Sequence, residues 1–134
     1  MNNKTEIFKA LADETRLRIL NLFIKFGESL CVCELTDALK LPQYHISKHL
    51  NVIRNSGILK PEREGTWVYY KLDNSNSDIK DLVKFLKNFL TEQQLEADYN
   101  SLKQRLLLRE EGKCVIGFVS EVDLIKKIKI KTKE

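Results

Sequence analysis

The sequence predicts a mainly α-helical domain completed by a single β-hairpin. Three observations predict it. Apolar residues recur at three- and four-residue steps from Thr5 to Ser56 and again from Asp78 onward. Glycine, proline and asparagine interrupt that pattern at short intervals. Between Ile58 and Leu72 two β-prone runs flank the polar stretch Glu62-Arg63-Glu64-Gly65, the mark of a hairpin whose turn needs a positive φ.

The elements follow in order. Ile7, Phe8, Leu11 and Ala12 hold helical spacing. Asp13 is the N-cap of a second helix, with Arg16 where a capping box would place glutamate. That helix carries Leu17, Ile19, Leu20, Leu22 and Phe23 and stops at Gly27. A short third helix runs from Val32 to Leu39 and ends at Lys40-Leu41-Pro42, since proline disfavours a helical residue before it. A fourth, Gln43–Ser56, turns Ile46, Leu50 and Ile53 to one side, and Gly57 closes it. After the hairpin, Asn74–Ser77 is a linker. The stripe Ile79, Leu82, Val83, Leu86, Phe89 and Leu90 then marks a helix with one buried face. Thr91 and Gln94 fit a capping box for a further helix carrying Leu95, Tyr99, Leu102 and Leu106 at near-heptad spacing. These late helices hold more apolar surface than one compact copy needs, so a homodimer is expected. Cys114–Val119 has the look of a short strand. For Lys126–Lys131 the alternation leaves strand, amphipathic helix and disordered tail open. The chain thus divides into a domain of helices and hairpin with dimerisation helices at 1–92, an additional helix at 93–112 and a basic tail at 113–134.

With 134 residues, 43% hydrophobic and 31% charged, the chain has the balance of one globular domain. No apolar run reaches the length of a membrane span, and the N-terminus lacks a signal peptide's apolar centre. A cytoplasmic protein with no membrane partner is therefore expected. Three cysteines cannot all pair within one chain, and a reducing cytosol opposes disulfides. Enzymatic function is not expected: there is no glycine-rich phosphate loop, no nucleophile beside a base and no carboxylate pair in an apolar setting.

The net charge of +4 is concentrated between Lys40 and Lys71, where six basic residues face only Glu62 and Glu64. A local basic stretch is a footprint for polyanions. Helix, short turn, helix, hairpin is the winged helix-turn-helix order, whose second helix lays its N-terminal side chains in the major groove. Here that helix presents Gln43, Tyr44, Ser47 and Lys48 opposite Ile46 and Leu50. Glutamine can pair with adenine, and lysine serves guanine or phosphate. Lys60 and Arg63 of the hairpin can reach flanking backbone. His45 and His49 stand four apart, a zinc-ligand spacing, but lack a third ligand. DNA or packing contacts are their better reading. Double-stranded DNA, as an imperfect palindrome matching a twofold dimer, is the expected partner.

Phe8 to Leu20 resembles the opening helices of the ArsR/SmtB family of bacterial repressors. Gln43-Tyr44-His45-Ile46-Ser47-Lys48-His49-Leu50-Asn51-Val52-Ile53-Arg54-Asn55-Ser56-Gly57-Ile58-Leu59 resembles its recognition helix and the start of its wing, and Gly65 to Leu72 the wing's return strand. The resemblance covers roughly residues 6–90. It implies a dimeric repressor that leaves its operator on binding an ion.

Leu30-Cys31-Val32-Cys33-Glu34-Leu35 is similar to the Cys-Val-Cys-(Asp/Glu)-Leu box of the family's arsenic- and antimony-responsive members, which its cadmium and lead sensors share. The resemblance implies Cys31 and Cys33 as ligands, with As(III) or Sb(III) as inducer and Cd(II) or Pb(II) as the alternative. Two thiolates suit soft ions. Where arsenic-sensing relatives carry a third cysteine, this chain has Thr36 and Asp37. Cys114 is then either the missing third sulfur or a small buried hydrophobe. Residues 78–96 hold no histidine for the zinc sensors' late-helix site, and the cadmium sensors' N-terminal cysteines are absent. Residues two apart on a helix point about 200° apart, so ligation by both box cysteines is expected to unwind the helix start. Two rival readings remain: a thiol-redox switch joining a box cysteine to Cys114, and a winged helix used for protein contacts.

Overall fold

Two helices at a sharp bend open the fold. In the computed structural model, which describes residues 2–133, α1 spans Asn2–Leu11 and α2 spans Glu14–Phe26. Asp13 is the expected N-cap, accepting from the Arg16 backbone N–H at 3.1 Å. Arg16 faces the other way: its guanidinium donates to the Lys9 and Ala10 carbonyls, closing the C-terminal end of α1. Gly27, at φ 77°, ends α2 in the left-handed region that glycine enters at no steric cost.

β1 (Leu30–Cys31) leads directly into α3 (Val32–Leu39), and α4 follows over Gln43–Asn55. Lys40 takes a left-handed conformation between them and Pro42 is the residue before α4. β2 (Leu59–Glu64) and β3 (Trp67–Leu72) form the hairpin, in antiparallel register from Leu59↔Leu72 to Glu64↔Trp67. Its two-residue turn is therefore Gly65-Thr66, with Glu62 to Glu64 inside the strand. β1 adds to the far side of β3, pairing Leu30↔Tyr70 and Cys31↔Tyr69, so the sheet order is β1-β3-β2.

α5 (Ser77–Phe89) starts from an Asn76 cap, and α6 covers Gln93–Leu106. The expected Thr91/Gln94 capping box does not form. Glu92 holds the N-cap position, and the Gln94 amide donates instead to Asp98 Oδ1. The near-heptad stripe of α6 is also spent within the chain: Leu95 and Leu102 are buried in the core against α2 and α3. Charged residues share that face. Asp98 accepts both Nε and Nη2 of Arg18 at 2.8 and 2.9 Å, and Arg105 is fully buried.

The segment after α6 makes no strand among the described residues, contrary to the expectation for Cys114–Val119. A tight turn at Glu110–Lys113 leads into an extended stretch, and α7 covers Glu121–Thr132 from a Ser120 cap. Side chains satisfy this stretch's backbone: Arg105 donates to the Ile116 and Gly117 carbonyls, and Val119 N–H donates to Asp37. The core gathers Ile19, Leu20, Leu22 and Phe23 of α2 with Leu35, Ile46, Leu50, Ile53, Ile58 and Leu102. Burying each such side chain contributes about 1.5–3 kcal/mol. This core fixes the angle between α3 and α4 and seats the hairpin beside them.

Candidate metal centre and nucleic-acid face

Three elements bring three sulfurs together. Cys31 ends β1 as the N-cap of α3, Cys33 lies in the first turn of α3, and Cys114 comes from the extended stretch after α6. Cys31 Sγ lies 3.1 Å from Cys33 Sγ, which is 3.6 Å from Cys114 Sγ, and all three lie within 4.8 Å of one another. All are buried, with Tyr69 and Trp67 packed against them. Metal–sulfur bonds of ~2.3 Å at tetrahedral angles separate sulfurs by ~3.8 Å, so the observed spacing suits one shared ion. Cys114 is thus not an isolated buried hydrophobe.

The expectation that ligation must unwind a helix is overturned. Cys31 has φ −101° and ψ 164°, an extended conformation outside α3, so both box sulfurs already face one point. Glu34 holds this junction, accepting from Cys31 N–H at 3.1 Å. Sulfurs this close share hydrogen bonds, so each proton lost changes the acidity of the others. Hydrogen bonds from Cys31 and Cys33 hold Cys114 down to about 3, as a thiolate. The bond to Cys114 pushes Cys33 up to about 12 and Cys31 upward likewise.

Two buried ion pairs frame the sulfurs, and sequence reasoning found neither. Glu34 accepts Nε and Nη2 of Arg109 at 2.7 Å each, and Arg109 also donates to the Ser29 carbonyl. Asp37 Oδ2 accepts Arg105 Nε at 2.7 Å. Burial pushes the Asp37 carboxyl up, against the pull of that guanidinium. Tyr69 Oη accepts from Cys114 N–H at 2.9 Å. A signal existed: Asp98 and Arg105 occupy the buried stripe positions of α6 between and beyond Leu95 and Leu102, where a charge demands a partner. With Glu34 and Asp37 both engaged by arginines, the cysteines are the single group of three metal-ligating side chains found among the described residues.

On α4, Gln43, Tyr44 and Lys48 are exposed, and His45 and Ser47 are half-buried beside them. His49 must be corrected. It is 7% exposed, with Nδ1 3.1 Å from Arg16 Nη1 and 3.8 Å from Asp13 Oδ2. Burial holds its imidazole below the usual pKa. It braces α4 against the α1–α2 bend and is withdrawn from the outer face. On the hairpin, Arg63 is exposed near the tip, whereas Lys60 is half-buried and 3.7 Å from Asp73. Lys71 pairs with Glu62, and Lys113 with Glu64.

The helix pair with its hairpin defines a winged helix-turn-helix DNA-binding protein. Residues 13–60 match the model of the bacterial regulatory protein, arsR family. A helix-turn-helix-type transcriptional regulator of Methanocaldococcus jannaschii is 46% identical over 81 residues, covering 60% of this chain and 88% of that protein. The arsenic resistance transcriptional regulator ArsR1 of Pseudomonas putida is 56% identical over 66 residues, covering 49% of this chain and 51% of that one. A Staphylococcus aureus homolog of the cadmium resistance transcriptional regulatory protein CadC is 38% identical over 90 residues, covering 67% and 70%. Among solved structures, the homodimeric winged helix-turn-helix DNA-binding domain Mb0332 of Mycobacterium bovis superposes with a TM-score of 0.57 at 25% identity, covering 66% of this chain and 78% of that one. The chain belongs to the ArsR family of DNA-binding transcriptional regulators, which are not enzymes. It spans about half the length of the arsenic regulator it matches. No helix among the described residues is long and apolar enough to cross a membrane.

Proposed function

We propose that this protein is a homodimeric repressor whose operator affinity falls when Cys31, Cys33 and Cys114 bind As(III) or Sb(III). The observation that carries this reading is the meeting of three buried sulfurs within 4.8 Å, with no fourth donor grouped with them among the described residues. Three sulfurs alone suit a three-coordinate metalloid better than a tetrahedral ion, which asks for four ligands. Cd(II) and Pb(II) are the alternative inducers, favoured by the box that the cadmium regulator's relatives share.

The placement of the sulfurs couples them to DNA. Cys31 lies on the strand paired to β3 of the wing, and Cys33 lies on the first helix of the reading pair. A bound ion ties both to Cys114, and any state that binds ion and DNA unequally links the two equilibria. Gln43, Tyr44, His45, Ser47, Lys48 and Arg63 make the DNA face in this reading, with Lys60 at its margin and His49 behind it. Twofold pairing draws support from Phe8, Phe85 and Phe89, which are 70%, 58% and 62% exposed on α1 and α5. The stacked rings of Phe85 and Phe89 make an exposed aromatic patch, the kind of surface that marks an interface.

Fluorescence anisotropy tests the reading, using a duplex selected from random DNA for binding to the ion-free protein. Arsenite is expected to release the duplex from the wild type at concentrations that leave a Cys31→Ser, Cys33→Ser variant bound. Tighter binding with arsenite contradicts the proposed direction. Release by Cd(II) but not arsenite moves the assignment to divalent ions.

A further inference from the structure

Arg105 of α6 is 1% exposed, and a buried guanidinium is costly unless its donors find partners. Its donors are used in one direction. Nε goes to Asp37 Oδ2 at 2.7 Å, and Nη2 goes to the carbonyls of Ile116 and Gly117 at 2.8 and 2.9 Å. Asp37 reaches the same stretch, accepting Val119 N–H at 3.0 Å. The pair therefore grips residues 116–119 from α3 and α6 at once. No strand ladder holds this stretch; Tyr69 ties it only at the Cys114 amide. The Ile116 carbonyl that Arg105 holds also lies 3.3 Å from Cys114 Sγ and 3.8 Å from Cys33 Sγ. Asp37 and Cys33 share α3, one helical turn apart, so the grip references the Cys114 backbone to the helix that carries Cys33.

We propose that Arg105, with Asp37, is the positioning residue for the third sulfur, so that this buried pair decides whether the site offers three sulfurs or two. The proposal rests on the three-sulfur reading given above. Chemistry separates the two cases. Arsenous acid exchanges three hydroxyls for three sulfurs, forming three As–S bonds and releasing three waters. Phenylarsine oxide, hydrated to a dihydroxide, exchanges only two, because its third position is an As–C bond. A site that loses its grip on Cys114 keeps the second reaction and loses the first.

The test compares both arsenicals on the full chain, read by Trp67 fluorescence and by thiol titration. Arg105→Gln is made alongside the double variant Arg105→Met, Asp37→Leu, which removes both charges together and leaves neither orphaned. The expected result is at least a tenfold loss of arsenite affinity in both variants, matching Cys114→Ser, with phenylarsine oxide binding and DNA affinity unchanged. Wild-type arsenite affinity in either variant overturns the proposal. Equal loss of both arsenicals also overturns it, since that makes the pair a support of the fold alone. If Cys114→Ser itself binds arsenite like the wild type, the three-sulfur reading fails first.

Discussion

Arsenite should bind this protein more weakly as the pH rises, and the reason lies in the single charge that the three sulfurs share. With Cys114 held as a thiolate at about 3 and Cys33 pushed up to about 12, the group enters the reaction as two thiols and one thiolate across the neutral range. Arsenous acid brings three hydroxyls, which leave as three waters. Two of the protons come from the thiols and the third comes from solvent. Uptake of one proton makes affinity fall about tenfold per pH unit, or about hundredfold between pH 6 and pH 8. Three ordinary thiols would supply all three protons and show no slope. A divalent cation reverses the sign: it displaces two protons and binds more tightly as the pH rises. Trp67, the chain's one tryptophan, packs against the cysteine cluster, so its fluorescence reads occupancy directly. Titrations at pH 6, 7 and 8 should give a falling affinity for arsenite and a rising one for Cd(II). In Cys114→Ser, two thiols exchange for two hydroxyls and the arsenite slope should vanish. A flat or rising wild-type arsenite affinity refutes the shared-thiolate argument.

Other expectations address the fold and the DNA face. Lys48→Ala should weaken duplex binding across sequences and reduce the slope of log affinity against log salt by about 1, one phosphate's share; an unchanged slope removes Lys48 from the backbone contacts. Glu34→Gln keeps the side chain's shape but leaves Arg109 facing a neutral amide, and should cost about 3 kcal/mol in urea unfolding, as breaking a buried pair does. A change below 1 kcal/mol shows that water reaches Arg109. Phe85→Ser with Phe89→Ser removes a stacked pair with ring centroids 4.9 Å apart and should yield monomers in sedimentation. Persistence of the dimer places its interface elsewhere.

Local signals made much of the fold legible. Asp13, Gly27 and Pro42 punctuate the helices where capping and backbone rules put them, and the hairpin follows from its two β-prone runs. β1 escaped notice because two residues carry no periodicity; its pairing with β3 is set by the whole chain. The late strand failed for a related reason. Residues 114–119 have strand composition, but Arg105 and Asp37 satisfy their backbone, so no ladder is needed. At the site, Cys31 and Cys33 were readable as a motif, whereas the place of Cys114 depends on contacts 81 residues apart in sequence. The helix-unwinding idea erred by treating Cys31 as helical, although Glu34 three residues later has the spacing of a cap partner. His49 was misplaced because histidine spacing says nothing of Arg16, which turns the ring inward.

The claim that most needs testing is that one metalloid ion takes all three sulfurs, one of them from the far end of the chain. X-ray absorption at the arsenic edge, on the wild-type protein loaded with one equivalent of arsenite, counts them directly. Three sulfur neighbours and no oxygen are predicted, falling to two sulfurs and one oxygen in Cys114→Ser. Two sulfurs and one oxygen in the wild type would contradict the account.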